Sequence, residues 1–131
     1  MQDELGLKLT VRIYKGEKAF GPGMLTLLTL IEKTGSLHKA CESMDMAYSK
    51  AWKMIKETER LWGFALTVGD AGGKNGGGSR LTPEGRLLTE QYGQFMEEVK
   101  EKAELTFNKY FSEEFLSKLD KAGKAQKGSG N

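Results

Sequence analysis

Residues 22–62 constrain the fold most, because apolar side chains recur there at helical spacing with only two short interruptions. Gly35 is a natural residue to end a helix, and Ser36 is a favourable N-cap for the next one. Asp45 tolerates a left-handed backbone better than most residues, so the second interruption can be a tight turn. The pattern therefore predicts three helices, at about 22–33, 37–44 and 47–62, in a helix-turn-helix arrangement.

Short β elements are predicted on both sides of these helices. Residues 7–14 alternate strictly between apolar and polar, which predicts a half-buried strand, and residues 18–20 can return as a second strand. Residues 65–68 and 79–81 are strand-like and flank a run of glycines. Thr82 and Pro83 then provide an N-cap and a first helical residue for a long helix.

The predicted fold is mainly α with small β elements: a winged helix-turn-helix with an N-terminal strand pair and a long C-terminal dimerisation helix. Residues 1–111 are expected to form the winged helix-turn-helix domain, including the long helix at about 83–111. Residues 112–131 are expected to add a short helix and a disordered tail.

Composition argues against several classes of function. The 131 residues carry 20 Lys and Arg against 18 Asp and Glu, so the net charge of +2 identifies no partner. The chain has one cysteine, Cys41, and one histidine, His38, from which no catalytic triad or metal site can be formed. No enzyme activity, metal or cofactor is therefore expected. No apolar run is long enough to span a membrane, and the absence of disulfides favours the cytoplasm.

The third helix has a cationic side that could contact DNA. Its candidate DNA-binding residues are Tyr48, Ser49, Lys50, Lys53, Lys56 and Arg60. Cations on one outward face can neutralise phosphates, and the first two turns of a recognition helix meet base edges. The alternative is an ordinary solvated face, since Glu57 and Glu59 dilute the positive charge.

The glycine run between the two later strands does not fit a nucleotide-binding loop, because no Gly-Lys-Ser/Thr sequence occurs in it. A wing that approaches DNA fits better, since glycines let backbone amides come close to a phosphate. Lys74, Asn75 and Arg80 are its candidate DNA contacts. The alternative is a hairpin loop without a partner.

Apolar residues of the long helix recur every three or four positions. This seam, Leu88, Tyr92, Phe95, Val99 and Phe107, is the candidate dimer interface. A two-fold dimer predicts a pseudo-palindromic operator. The alternative is that the seam folds back on its own domain.

Two segments carry a family resemblance: GSLHKACESMDMAYSKAWKMIKETERLWG and the glycine-rich GGKNGGGSRLTPEG. They resemble the N-terminal DNA-binding domain of ModE-type molybdate-responsive regulators and, more distantly, the LysR-type winged helix. The resemblance covers about residues 5–110 and implies a transcription regulator that binds double-stranded operator DNA as a homodimer.

The resemblance places the recognition helix at 47–62 and the wing at 69–80. The family's C-terminal oxyanion-binding modules have no counterpart in these 131 residues, so direct molybdate binding is not expected. The second hypothesis is a non-catalytic protein-interaction adaptor on the same fold, in which the long helix or the first strand docks another protein.

Overall fold

The computed structural model describes residues 4–69 and 78–129. The chain divides into two compact units, Thr10–Met96 and a second unit made of Met1–Leu9 with Glu97–Asn131. The described residues form five helices and two antiparallel strand pairs, which confirms the predicted mainly α winged helix-turn-helix fold. The elements are β1 (Ile13–Lys15), β2 (Glu17–Phe20), α1 (Pro22–Thr34), α2 (Leu37–Met44), α3 (Tyr48–Trp62), β3 (Thr67–Gly69), β4 (Ser79–Leu81), α4 (Pro83–Tyr110) and α5 (Glu113–Ser129).

The two breaks between the first three helices form as the sequence predicts. Gly35 ends α1 with a φ of 74°, and the Ser36 hydroxyl then caps α2 by accepting the Lys39 N–H at 3.1 Å. Asp45 ends α2 in the left-handed region with φ 52° and ψ 48°. Because both turns are short, α3 follows α2 with only Asp45, Met46 and Ala47 between them.

The core of the Thr10–Met96 unit lies where α1, α2 and α3 meet the β elements. Leu27, Leu28 and Ile31 of α1 are completely covered. Ala40 of α2 and Ala51 of α3 are also completely buried in this cluster, and their small side chains let the two helices approach closely.

The predicted strand over residues 7–14 is wrong in extent, because β1 contains only Ile13–Lys15. Its antiparallel partner β2 has four residues, and the register shifts between Ile13 and Tyr14. Residues 4–10 have no strand structure, and Leu5, Leu7 and Leu9 are 39–58% exposed. Alternation of apolar and polar residues indicates one-sided burial, but a strand also needs a backbone partner.

The start of α4 is fixed by a close backbone contact. The Thr82 hydroxyl accepts the Gly85 N–H at 2.9 Å and donates to the Ala65 carbonyl at 2.7 Å. A Cβ on Gly85 would collide with the carbonyl oxygen of Leu66. The absence of a side chain at Gly85 therefore lets α4 lie against the segment that leads into β3.

The last helix is longer than the sequence predicts. Instead of a short piece and a tail, α5 runs over Glu113–Ser129. Lys, Ala and Gln are good helix formers, and the Lys124 ammonium lies 3.3 Å from the Asp120 carboxylate one turn earlier. These local preferences extend the helix through residues whose small and polar character suggested disorder.

Tyr92 belongs to the core of its own unit, which differs from its predicted place in a dimer interface. Its side chain is 2% exposed, and its ring lies 4.8 Å from that of Phe20. The phenol donates a hydrogen bond of 2.6 Å to the Val11 carbonyl. Helical spacing placed Tyr92 on the seam correctly, but spacing does not distinguish an intramolecular neighbour from a second chain.

We predict opposite effects from two glycine-to-alanine changes in α4. Gly85→Ala lowers the free energy of unfolding by at least about 2 kcal/mol, because the new methyl group meets the Leu66 backbone. Gly93→Ala has open space for its methyl group and raises the same quantity by about 0.5–1 kcal/mol through helix propensity. Urea denaturation at one fixed protein concentration measures both, and equal effects would contradict the described packing.

We also predict that Tyr92→Phe lowers the free energy of unfolding by about 1 kcal/mol at neutral pH, through loss of the hydrogen bond to Val11. Burial raises the pKa of Tyr92 above its ordinary value, although Arg12 opposes this. The phenol's stabilising contribution is therefore complete below its unfolded-state pKa of about 10, and is lost as the pH rises through the higher folded-state value. Denaturation of both proteins across this range should show their difference shrinking, whereas a constant difference would refute the assignment.

Candidate nucleic-acid interface

The helix α3 has a buried side and a cationic exposed side. Ala51, Ile55 and Thr58 are buried, and the Thr58 hydroxyl donates to the Met54 carbonyl of the preceding turn at 2.9 Å. On the other side Ser49, Lys50 and Lys53 are exposed, together with Trp52 at 49%. The apolar stripe thus sets which side chains of α3 reach solvent.

The C-terminal half of α3 is held by three contacts to neighbouring elements. The Trp62 indole N–H donates to the Ala19 carbonyl of β2 at 2.8 Å. The Glu59 carboxylate accepts the Leu66 N–H at 2.8 Å, just before β3. Arg60 pairs with Glu17 of β2 at 3.0 Å. These contacts fix the rotation of α3 about its axis, and with it the direction of Lys50 and Lys53.

Among the cations of α3, Lys50 and Lys53 are those whose charge is least compensated. Both are exposed on the first two turns of α3, and neither forms an ion pair with another residue that the structure describes. An ammonium without a protein carboxylate beside it can neutralise a phosphate at no cost in broken ion pairs.

Lys56 and Arg60 differ from these two lysines, because their charges already have partners. The Lys56 ammonium lies 3.4 Å from the Glu59 carboxylate and 4.9 Å from the centre of the Trp52 ring. Arg60 contacts Glu57 at 2.9 Å as well as Glu17, and hydrogen bonds to Glu57 and then Glu17 raise the pKa of Arg60. Both cations bind within the protein, so the sequence-based assignment to DNA is weakened for them.

The N-terminus of α3 presents polar groups of a different kind. Tyr48 stacks on His38 of α2, with ring centres 4.2 Å apart and planes 14° from parallel. Ala47 occupies the N-cap and supplies no side-chain cap. No side chain therefore caps the first amides of α3, and the Ser49 side chain beside them is exposed, an arrangement that suits a phosphate.

The base of the predicted wing is joined directly to the helix-turn-helix. β3 and β4 pair in antiparallel register, with Val68 opposite Arg80. The Ser79 N–H donates to the Gly35 carbonyl at 2.9 Å, which links β4 to the turn between α1 and α2. Arg80 is exposed on β4. The predicted contacts Lys74 and Asn75 lie outside the described residues.

The remaining predicted interface residues on α4 fall in different surroundings. Leu88 is half-buried against the core, and Phe95 is 47% exposed. Val99 and Phe107 are half-buried in the second unit. There Phe107 stacks on Phe111 with ring centres 5.3 Å apart. Phe111 in turn meets the edge of Phe115 at 5.8 Å.

The structure also brings together cations that the sequence analysis did not group. Arg12 lies just before β1, and Lys18 lies in β2. Both line the same cavity as Lys50 and Lys53. The only sequence signal was their place on the polar face of the predicted strands. Their approach to α3 depends on contacts between residues more than 30 positions apart, which periodicity does not reveal.

Other chemistry is sparse in the part of the chain that the structure describes. Within residues 4–69 and 78–129 no group of three His, Cys, Asp or Glu side chains is arranged to hold a metal ion. Over the same residues, no helix combines the length and apolar character needed to cross a membrane. Burial raises the pKa of Cys41, which keeps it a thiol in the core.

Comparison with known proteins agrees with this geometry. Residues 23–86 match the bacterial regulatory helix-turn-helix proteins of the lysR family. The chain is 37% identical over 68 residues to the molybdenum transport protein ModE of Azotobacter vinelandii, covering 52% of this chain and 25% of the relative. It is 33% identical over 93 residues to the DNA-binding transcriptional dual regulator ModE of Escherichia coli K12, covering 70% of this chain and 34% of the relative.

A third relative is the molybdenum-pterin-binding protein MopB of Rhodobacter capsulatus, 34% identical over 73 residues, or 56% of this chain and 27% of the relative. The chain thus spans about a quarter to a third of the length of these curated relatives. The matched residues include α1, α2, α3 and the wing strands, and they agree with the resemblance seen in the sequence. Residues 23–86 therefore form a LysR-type helix-turn-helix domain, and the chain is homologous over about half its length to the ModE molybdate-responsive regulators.

Proposed function

We propose that this chain is a transcription regulator that binds a pseudo-palindromic operator as a homodimer, through α3 and the wing. The observation that carries the proposal is the exposed pair Lys50 and Lys53 on the first half of a helix whose opposite side is buried. A recognition helix needs that arrangement, since its N-terminal residues must reach base edges while its rear is anchored.

Phosphate contacts are supplied by the groups around the pair. The uncapped amides at the start of α3, with Tyr48 and Ser49, suit one phosphate. Arg80 is exposed on β4, and the N–H of the preceding Ser79 donates to the turn before α2. Such phosphate contacts position a protein on the duplex but do not read its sequence. Lys50 and Lys53 are the residues that we expect to reach base edges, where guanine O6 and N7 are the acceptors that match a lysine.

The second unit supports a homodimer. None of its described side chains, in residues 4–9 and 97–126, is buried, although Phe107, Phe111 and Phe115 form a connected aromatic cluster. Helices that leave such a cluster uncovered are stabilised when they pack against another apolar surface. A second copy of the chain offers the same surface and gives the two-fold symmetry of a palindromic operator.

The uncovered aromatic cluster also suits the adaptor hypothesis, in which a different protein covers it. The two functions differ at α3, because an adaptor gives no reason for two uncompensated lysines beside an uncapped helix N-terminus. DNA binding is therefore the function that the described geometry favours.

We predict that Lys50→Ala and Lys53→Ala each weaken binding to an operator selected from a random duplex library. The expected loss is about tenfold for each, equivalent to about 1.4 kcal/mol. If the lysine contacts a phosphate, the slope of log affinity against log salt also falls by about 1. Fluorescence anisotropy at several salt concentrations measures both quantities.

The matched control is Lys118→Ala, which removes the same charge from an exposed position of α5. It should leave operator affinity within twofold of the wild type, because a general charge effect is small and screened by salt. If all three variants lose affinity equally, net charge rather than α3 controls binding. Failure to select any duplex from the library would refute DNA binding itself.

We predict that Phe107→Glu shifts the protein from dimer to monomer, because a carboxylate in the aromatic cluster cannot be covered by an apolar surface without a large desolvation cost. Leu105→Glu is the control. Leu105 is 72% exposed on α4 and lies about 200° around the helix from Phe107. Sedimentation equilibrium should show dissociation only for Phe107→Glu, and circular dichroism should show unchanged helix content for both variants. A wild-type monomer at all concentrations would remove the homodimer from the proposal.

A further inference from the structure

A cavity of about 640 Å³ opens beside α3 within the Thr10–Met96 unit. Strand β2 and Arg12 form one wall, the first turn of α1 forms another, and α3 forms the third. Its volume falls in the range of about 300–1,000 Å³ that is usual for small-molecule sites. Neither the DNA contacts nor the core accounts for it.

The floor of the cavity is apolar and rigid. Phe20 and Met24 are 2% and 5% exposed and belong to the core, and half-buried Met54 and Leu61 continue the surface along α3. An apolar body in this cavity covers the part of Met54 and Leu61 that water otherwise contacts.

The rim of the cavity is cationic. Four side chains on it are positive: Arg12, Lys18, Lys50 and Lys53. Its two carboxylates, Glu17 and Glu57, both bind the Arg60 guanidinium at 2.9–3.0 Å. The single guanidinium offsets one of these two negative charges, and the four cations still outnumber the one that remains at the mouth.

We propose that this cavity binds a small organic anion with an apolar body, such as an aromatic carboxylate. The apolar part lies against Met54 and Leu61, and the anionic group meets Lys18 and the two lysines of α3. Inorganic anions do not fit this description, since they gain nothing from the apolar floor. A DNA phosphate lacks the apolar body that covers the floor.

An organic anion bound in the cavity affects what α3 can bind. Lys50 and Lys53 serve both the cavity and the DNA surface, so a bound organic anion competes with the duplex for them. This part rests on the proposed DNA-binding function, whereas binding in the cavity does not. By this competition the anion acts as a chemical signal directly at α3.

The test is an NMR titration of the uniformly ¹⁵N-labelled full chain with 2-naphthoate and, separately, with neutral 2-naphthamide. Naphthoate should give saturable shift changes in residues 18–24 and 53–61. Naphthamide should bind about 3- to 10-fold more weakly, because it lacks the charge that the exposed lysines attract. Shifts concentrated in α4 and α5, or equal affinity for both compounds, would overturn the proposal.

Two variants of the hairpin locate the site without touching α3 or the core. Lys18→Glu should weaken naphthoate by at least the factor that separates naphthoate from naphthamide. Lys15→Glu makes the same charge change on the same hairpin, at an exposed residue that does not line the cavity, and should leave affinity unchanged. An equal effect from both variants would assign the binding to general charge and overturn the site.

Repeating the titration with saturating selected duplex tests the competition. Naphthoate affinity should fall when the duplex is bound, and unchanged affinity would remove the competition. Loss of naphthoate binding with duplex binding intact would remove the cavity site alone. Naphthoate binding to a chain that binds no duplex would support the site and remove the proposed function.

Discussion

The structure depends on the burial of one side of α3 against α1 and α2. Ala40 and Ala51 are completely covered, and Ile55 is 3% exposed, so the two helices of the helix-turn-helix approach at the distance that small side chains allow. A larger residue at either alanine would separate them and cost about 1–3 kcal/mol in strain. This contact decides which residues of α3 face solvent, and the cationic side exists because the apolar side is fixed.

The β1–β2 hairpin gives α3 two halves with different electrostatic roles. Trp62 and Arg60 bind Ala19 and Glu17 of β2, so the last turns of the helix belong to an internal brace. The first turns contain Lys50 and Lys53, which have no carboxylate partner among the described residues. A single helix thereby separates residues that attach it to the protein from the lysines that we propose contact DNA, and residues of both halves line the cavity beside the hairpin.

Local sequence signals predicted most of the fold, while contacts between distant residues escaped them. Gly35, Ser36 and Asp45 act through their own backbone preferences, so their helix ends could be read from composition and spacing. The sequence assigns Arg60 to DNA because one of its two partners, Glu17, lies 43 residues away. It assigns Tyr92 to a dimer because helical spacing cannot identify what covers an apolar residue. The cationic rim of the cavity has no local sequence signal for the same reason, since Lys18 and Lys53 line one cavity only in the folded chain.

The central claim is that the first two turns of α3 read DNA while its last turns are held by the protein. An NMR titration of the ¹⁵N-labelled chain with a duplex selected for tight binding measures this directly. The largest amide shift changes should fall in residues 48–53, with smaller changes over 59–62. Changes confined to α5, or to the last turn of α3 with residues 48–53 unaffected, would contradict the account.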